Sequence, residues 1–287
     1  MLEYRFSRKS GGNKWKWTVC GHFLNVGGAR RFILDFGLWT LDFRLIPMVS
    51  AIIVAAGKGV RMGTGLRRAG EASATQAGAD KLFLEAAGRP IMAHARQRFD
   101  EAKCINEIIL VVRDGMQKVF KDLAAKFLFK KPFRIVVGGA ERQDSVWNGL
   151  EALPPQAEIV AIHDAARPCT SGELIAATVK AAEETGAAVA AQPVTDTIKE
   201  SVDGKLIQRT LDRSRLWVVQ TPQTFRVEVI RRALAEARRR KLIFTDDTAA
   251  CELIGQPVRL VSSIAPNPKV TVPGDLLFVE MLLRNKT

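Results

Sequence analysis

The chain has 287 residues, 47% of them hydrophobic and 25% charged, with a formal net charge of +13. That length suits one large domain or two modest ones, and the composition excludes wholesale disorder and fibrous repeats. The apolar runs all fall short of the roughly 18 residues a transmembrane helix needs, and the charge points to an anionic partner without naming it.

Four cysteines (Cys20, Cys104, Cys169, Cys251) lie far apart with no CxxC pair, which argues against a zinc site or disulfide framework and suits a reducing cytoplasm. Residues 1–47 hold eight basic against three acidic residues, +5 of the total charge, and three of the five tryptophans. The stretch has no clean helical or alternating period, and Asp35 and Asp42 interrupt its apolar run. It reads as an extension outside the fold, with Met48 directly before the first clear strand; an organelle transit peptide is the lesser alternative.

From Met48 the chain alternates short apolar runs with amphipathic stretches. Strands are predicted at Ser50–Ala55, Asn106–Arg113, Phe133–Gly138, Glu158–His163 and Ala187–Pro193, each rich in small and β-branched residues and apolar on both faces. Helices are predicted near 90–103, 115–127, 142–153 and 171–185. The alternation predicts an α/β fold, Rossmann-like, with a mostly parallel sheet and helices on both faces, occupying residues 48–287. Ligands in such folds bind outside the carboxyl ends of the strands.

Residues 194–217 break the pattern. Asp203-Gly204 stands between two roughly alternating runs, a strong hairpin signal, and a two-stranded ribbon is marginal alone in water. It is therefore expected to lie on something, such as a second subunit. Helices near 226–240 and 246–254, a strand near 257–263 and a last helix from Pro273 complete the chain. The basic run Arg238–Lys241 ends a helix, where cations suit the dipole, so no nucleic-acid partner is read from it.

The chemistry follows the strand ends. After the first strand comes Ala55-Ala56-Gly57-Lys58-Gly59-Val60-Arg61-Met62-Gly63, whose glycines let the backbone approach phosphate oxygens. GxxxxGK[ST] is absent, which excludes a Walker loop, and the spacing is poor for a dinucleotide fingerprint. A nucleoside triphosphate loop with Arg61 and Lys81 as cations remains. His163, at a strand end, reads first as a satisfied structural histidine. Thr245-Asp246-Asp247 reads first as a helix cap and second as a site contact.

The motif G-x-G-x-R-M, with Lys81-Leu82-Phe83-Leu84 further on, resembles the opening of nucleotidyltransferases that join a nucleoside triphosphate to a sugar or polyol phosphate. Gly138-Gly139-Ala140-Glu141-Arg142-Gln143-Asp144-Ser145-Val146, His163-Asp164-Ala165-Ala166-Arg167-Pro168, Thr195-Asp196-Thr197, Leu211-Asp212-Arg213, Thr221-Pro222-Gln223 and Asn267-Pro268-Lys269 narrow the resemblance. Over roughly residues 49–285 the chain resembles the 2-C-methyl-D-erythritol 4-phosphate cytidylyltransferase family. The resemblance implies cytidylyl transfer from CTP, with Mg²⁺ held mainly by the triphosphate and water and no dedicated protein ligands.

It also implies roles. Arg61 and Lys81 stabilise the transition state, and Arg213 and Lys269 hold the incoming polyol phosphate. Ala55, Ala56, Gly57, Gly59, Gly139, Ala140 and Ser145 surround the nucleotide, with Ser145 available to the base. Asp164, Arg167 and Thr197 contact the polyol. The arm at 194–217 crosses to a second subunit in a homodimer. Residues 63–80 lengthen the family's usual spacing before the lysine, and Arg67 and Arg68 inside them are alternative cations. A sister enzyme acting on ribitol 5-phosphate and a non-catalytic nucleotide-binding subunit are the competing readings.

Overall fold

The computed structural model describes residues 47–57 and 81–285 in full, and the backbone of residues 2–7, 16–26, 29–35 and 40–44. The chain divides into two compact units, Met1–Pro47 and Met48–Thr287. In the first, β1 (Leu2–Ser7), β2 (Lys16–Val26), β3 (Ala29–Asp35) and β4 (Thr40–Arg44) form an antiparallel meander in sequence order. The sequence reading named no element there. Its clearest hint is Gly27-Gly28, which separates the paired residues Val26 and Ala29 by a hairpin-favouring couple. The strands themselves mix charged and apolar residues without strict alternation, which hides them from a period-2 search.

The second unit is built on a seven-stranded sheet. Its strands are β5 (Met48–Ala55), β8 (Glu107–Val112), β9 (Phe133–Val137), β10 (Ala157–Asp164), β11 (Ala187–Pro193), β14 (Trp217–Arg226) and β15 (Arg259–Ser262), in the order β15-β11-β14-β10-β5-β8-β9. All neighbours are parallel except β14, which runs antiparallel to β10 and β11. Helices α1 (Ile91–Glu101), α2 (Gln117–Lys126), α3 (Arg142–Glu151), α4 (Gly172–Thr185), α5 (Val227–Arg239), α6 (Asp247–Leu253) and α7 (Asp275–Arg284) complete it, with the short pair β6 (Glu85–Ala86) and β7 (Arg89–Pro90). None of the described helices is long and apolar enough to cross a membrane.

The strand sequences read as continuous apolar runs because both faces are covered. Ile108, Leu110 and Val112 join one core with Phe99 and Phe120, while Ile109 and Val111 point into a second with Ile52, Phe225 and Ile230. Helix ends follow local chemistry. Ser171 caps α4 by accepting from the Leu174 amide at 3.2 Å, and Gly186 ends it in the left-handed region at φ +89°.

β14 is the element the sequence reading missed, having passed from the ribbon at Leu216 to a helix at 226. Pro222 cannot donate to a ladder and argues against an interior strand. The sheet accommodates it in a bulge: Gln223 pairs with Val189 and Val219 with Ala191, so Gln220, Thr221 and Pro222 stand against Ala190 alone. The predicted hairpin is present but short. β12 (Lys199–Glu200) and β13 (Arg209–Thr210) pair two residues each, and Asp203 holds the connecting loop by accepting from the amides of Lys205 and Leu206 at 2.8 and 3.0 Å.

Candidate active site

The chain leaves β5 first toward β8 and β9 and then crosses back to β10 on the other side of β5. A crevice opens at such a switch point, outside the carboxyl ends of the strands. Here it is a cleft of about 200 Å³ whose walls include Ala55, Ala56 and Gly57 after β5, Gly139, Ala140 and Ser145 after β9, Asp164 at the end of β10, and Lys81 and Lys269. An adjoining cavity of about 410 Å³ shares Arg142, Asp164 and Lys269 and adds Arg167, Gln220, Gln223, Thr245 and Asp246.

The glycine loop is tight by construction. A Cβ on Gly138 would lie 2.5 Å from the Ala56 Cβ, and one on Gly139 would lie 2.3 Å from the Asp144 Cβ. The Ser145 hydroxyl accepts from the Gly139 amide at 3.1 Å and donates to the Glu141 carbonyl at 3.2 Å, so here it shapes the loop. The N-terminus of α3 follows directly, with the Glu141 amide donating to the Asp144 carboxylate at 3.2 Å.

Between the two cavities runs a chain of charges. Lys269 Nζ donates to Asp164 Oδ2 at 2.6 Å, Arg142 Nε lies 3.4 Å from Asp164 Oδ1, and Arg142 Nη1 donates to Asp247 Oδ2 at 2.7 Å. Burial alone would raise the Asp164 carboxyl, but Arg142 and Lys269 outweigh it and hold the group well below the usual carboxylate range. Burial works against the Arg142 charge as well, and Asp247 and Asp164 together overcome it, raising the guanidinium further. Lys81 Nζ donates to the Val270 carbonyl at 2.9 Å, tying the Lys81–Phe83 turn to the Lys269 loop.

Buried hydrogen bonds fix that loop. Asn267 donates to Gln220 Oε1 and to the Thr221 carbonyl at 3.1 and 2.8 Å, and accepts from Thr170 at 2.8 Å. Arg167 Nη1 donates to the Asn267 carbonyl at 2.7 Å, and burial lowers its pKa. His163 is fully buried: its Nε2 donates to the Arg167 carbonyl at 3.0 Å, and its Nδ1 accepts from the Thr221 hydroxyl at 3.0 Å. With both nitrogens engaged and its pKa lowered to about 4 by burial, it is the structural histidine the sequence implied.

The structure thus gathers Ala55, Ala56, Gly57, Lys81, Gly139, Ala140, Ser145, Asp164, Arg167 and Lys269 around two adjoining cavities. Gly59, Arg61 and the 63–80 stretch lie outside the described residues. Thr197 and Arg213 line neither cavity: both are on the arm, where Arg213 Nη1 donates to the Thr195 carbonyl at 2.7 Å. Sequence reasoning left out Gln220, gave Arg142 and Asn267 no role although both stood within quoted motifs, and read Asp246-Asp247 as a cap before a site contact. Asp246 is indeed the cap of α6, accepting from the Ala249 amide at 3.2 Å, whereas Asp247 turns to Arg142.

A glycine loop opening a helix and converging cations at the switch point of a mainly parallel sheet define a nucleotidyltransferase. The sequence profile described as 2-C-methyl-D-erythritol 4-phosphate cytidylyltransferase matches residues 49–285. The protein of that name from Pelotomaculum thermopropionicum is 40% identical over 82% of this chain and 94% of its own length. The one from Alkaliphilus oremlandii is 40% identical over 84% of this chain and 97% of its own length. Among solved structures, the 4-diphosphocytidyl-2C-methyl-D-erythritol synthase of Anaerococcus prevotii superposes with a TM-score of 0.70 at 29% identity, covering 83% of this chain and 96% of its own. The cytidylyltransferase of Thermus thermophilus gives 0.65 at 32% identity, over 83% of this chain and 99% of its own. The chain belongs to the 2-C-methyl-D-erythritol 4-phosphate cytidylyltransferase family.

Proposed function

We propose that this chain transfers the cytidylyl group of CTP to 2-C-methyl-D-erythritol 4-phosphate, releasing pyrophosphate and 4-diphosphocytidyl-2-C-methyl-D-erythritol. The observation that carries the reading is the convergence of the Gly139 loop, Lys81 and the Asp164–Lys269 pair on one cleft. A phosphate oxygen of the polyol substrate attacks the α-phosphorus, and the bond to the bridging oxygen breaks as pyrophosphate leaves. Such transfers ask the protein for alignment and for cations around the equatorial oxygens.

Ala55, Ala56, Gly57, Gly139, Ala140 and Ser145 shape the nucleotide site, and Gly59 extends it. Lys81 carries positive charge to the triphosphate, a role shared with Arg61. Lys269 exchanges Asp164 for the phosphate of the polyol, which frees Asp164 to accept from substrate hydroxyls beside Arg167. Asp164 and Glu141 are the carboxylates lining the cleft, and Asp164 already has Lys269 and Arg142 on its two oxygens. Among the described residues no three His, Cys, Asp or Glu side chains gather as metal ligands. A magnesium ion would therefore be held by phosphate oxygens and water rather than by these carboxylates, and would supply positive charge to the leaving pyrophosphate.

The arm completes the site of a second subunit in a homodimer, bringing Thr197 and Arg213 to it. Its apolar residues Val202, Leu206 and Ile207 are 87, 75 and 67% exposed, as a surface awaiting a partner would be. The reaction belongs to the cytoplasm, where CTP is made and used.

The test is pyrophosphate release by the full chain with CTP and Mg²⁺, offering methylerythritol phosphate and ribitol 5-phosphate in parallel, beside Lys269→Ala. Release with methylerythritol phosphate, lost in the variant, is expected. Release with ribitol 5-phosphate alone would move the enzyme to a sister activity, and silence with both would leave a nucleotide-binding subunit.

A further inference from the structure

Asp247 has no place in the chemistry so far, yet it is among the most buried carboxylates of the described residues, at 1% exposure. It lines neither cavity. Capping of α6 does not account for it, because Asp246 performs that task. Its amide donates to Gln223 Oε1 at 3.0 Å, a bond any residue could make. What the carboxylate itself does is take Arg142 Nη1 at 2.7 Å on Oδ2; Oδ1 is buried with no hydrogen-bond partner among the described residues. A buried carboxylate with one satisfied oxygen is costly, and an asparagine or an apolar residue would avoid most of that cost.

Arg142, like Lys269, lines both cavities, and it stands on the first turn of α3 directly after the glycine loop. Its guanidinium is a planar fork, so fixing Nη1 on Asp247 fixes where Nε points. Nε points at Asp164. Anions entering either cavity attract Arg142 and Lys269 alike. Lys269, 37% exposed and at the end of a flexible stem, is free to turn to a ligand. Arg142, tethered from behind, stays.

We propose that Asp247 is a positioning residue for the transfer: from behind the cavity wall it anchors Arg142, and through Arg142 it keeps Asp164 ionised and in place when Lys269 leaves it for the substrate's phosphate. The inference rests on the cytidylyltransferase reading, and burial of Asp247, which pushes its pKa up against the pull of Arg142, agrees with a carboxylate that relies on this one cation.

A double-mutant cycle tests it, with the wild-type turnover measured first so that failure of the activity and failure of the inference are told apart. Asp247→Asn and Asp247→Ser are made, together with Arg142→Ala and the Arg142→Ala/Asp247→Asn pair, and kcat and KM are measured for both substrates alongside thermal unfolding. Asp247→Asn is expected to fold and to lose about ten- to a hundredfold in kcat with the KM for CTP little changed, the scale of a reacting group held about 1 Å out of place. In the Arg142→Ala background the second substitution is expected to cost nothing further, and to raise the unfolding temperature, because it removes a carboxylate left without its cation. Additive losses in kcat, or wild-type kinetics in Asp247→Asn, would overturn the assignment. So would failure of both Asp247 variants to fold, which would give the residue to the fold rather than the site.

Discussion

Arg96 carries a charge into the core with no hydrogen-bond partner among the described residues. It is fully buried on α1, its guanidinium lies 4.3 Å from the Phe129 ring centroid and 4.0 Å from that of Phe133, and Nε, Nη1 and Nη2 have no partner among the described residues. Burial lowers its pKa to about 10, the sign of a cation held at a cost. Stacking on two rings returns part of that cost, but unmade hydrogen bonds to a charge are dearer. Arg96→Met is therefore expected to stabilise the protein by about 1 kcal/mol, a rise of a few degrees in thermal unfolding; a fall of that size would show that the ring contacts dominate. His163 gives a pH signature. Its folded pKa of about 4 lies below the ordinary 6.5, so the unfolded chain binds the extra proton and stability is lost as pH falls from 6.5 toward 4. The contribution is about 3 kcal/mol at most. His163→Gln, which can keep one donor and one acceptor, should flatten that part of the stability–pH curve measured by urea unfolding. An unchanged slope would assign the loss to other groups.

At the level of elements, what could be read in advance was what local pattern determines. β5, β8 and β10 are visible because coverage on both faces makes their central residues a nearly continuous apolar run, and α4 because Ser171 and Gly186 punctuate it. β14 was invisible because its place in the sheet depends on Ala190, a residue some thirty positions earlier, yielding room for a proline bulge. The site divided in the same way. Residues on loops directly after strands were legible by type and position, whereas Arg142, Asn267 and Asp247 acquire roles only through partners far along the chain, at separations of 105 residues for Arg142–Asp247 and 97 for Asn267–Thr170. The glycine loop offers the sharpest element-level prediction. Gly139→Ala drives a methyl group into Asp144 on the first turn of α3, so CTP binding by calorimetry should weaken at least tenfold, about 1.4 kcal/mol. Gly172→Ala, with nothing within 4 Å of the added carbon, serves as the control that a glycine replacement by itself is harmless. Equal binding in the two variants would remove the loop from the nucleotide site.

For the whole molecule, the expectation concerns which chain each site residue serves. If the arm completes the neighbouring site, Lys269→Ala and Arg213→Ala disable different halves of it. Refolding the two inactive variants together should then recover about a quarter of wild-type turnover, since half of the dimers pair unlike chains and each of those holds one intact site. No recovery would place Arg213 outside the partner's chemistry. Of the residues behind the net charge of +13, the eight basic ones before Met48 belong to a separate compact unit. The strand that roots the arm also sets limits on how this molecule can change. β14 begins at Trp217, directly after the arm, where the Val194 amide closes the base on the Leu216 carbonyl at 3.0 Å. A few residues on, the same strand supplies Gln220 to Asn267 and Gln223 to the start of α6. Arm and cavity floor are thus one continuous piece of backbone. The arm is not a module to be trimmed, lengthened or transplanted for its own sake: an insertion that shifts β14 by one residue would put Gln220 and Gln223 on the wrong face and dismantle the loop of Lys269, so length variation here has to be confined to the tip around Gly204.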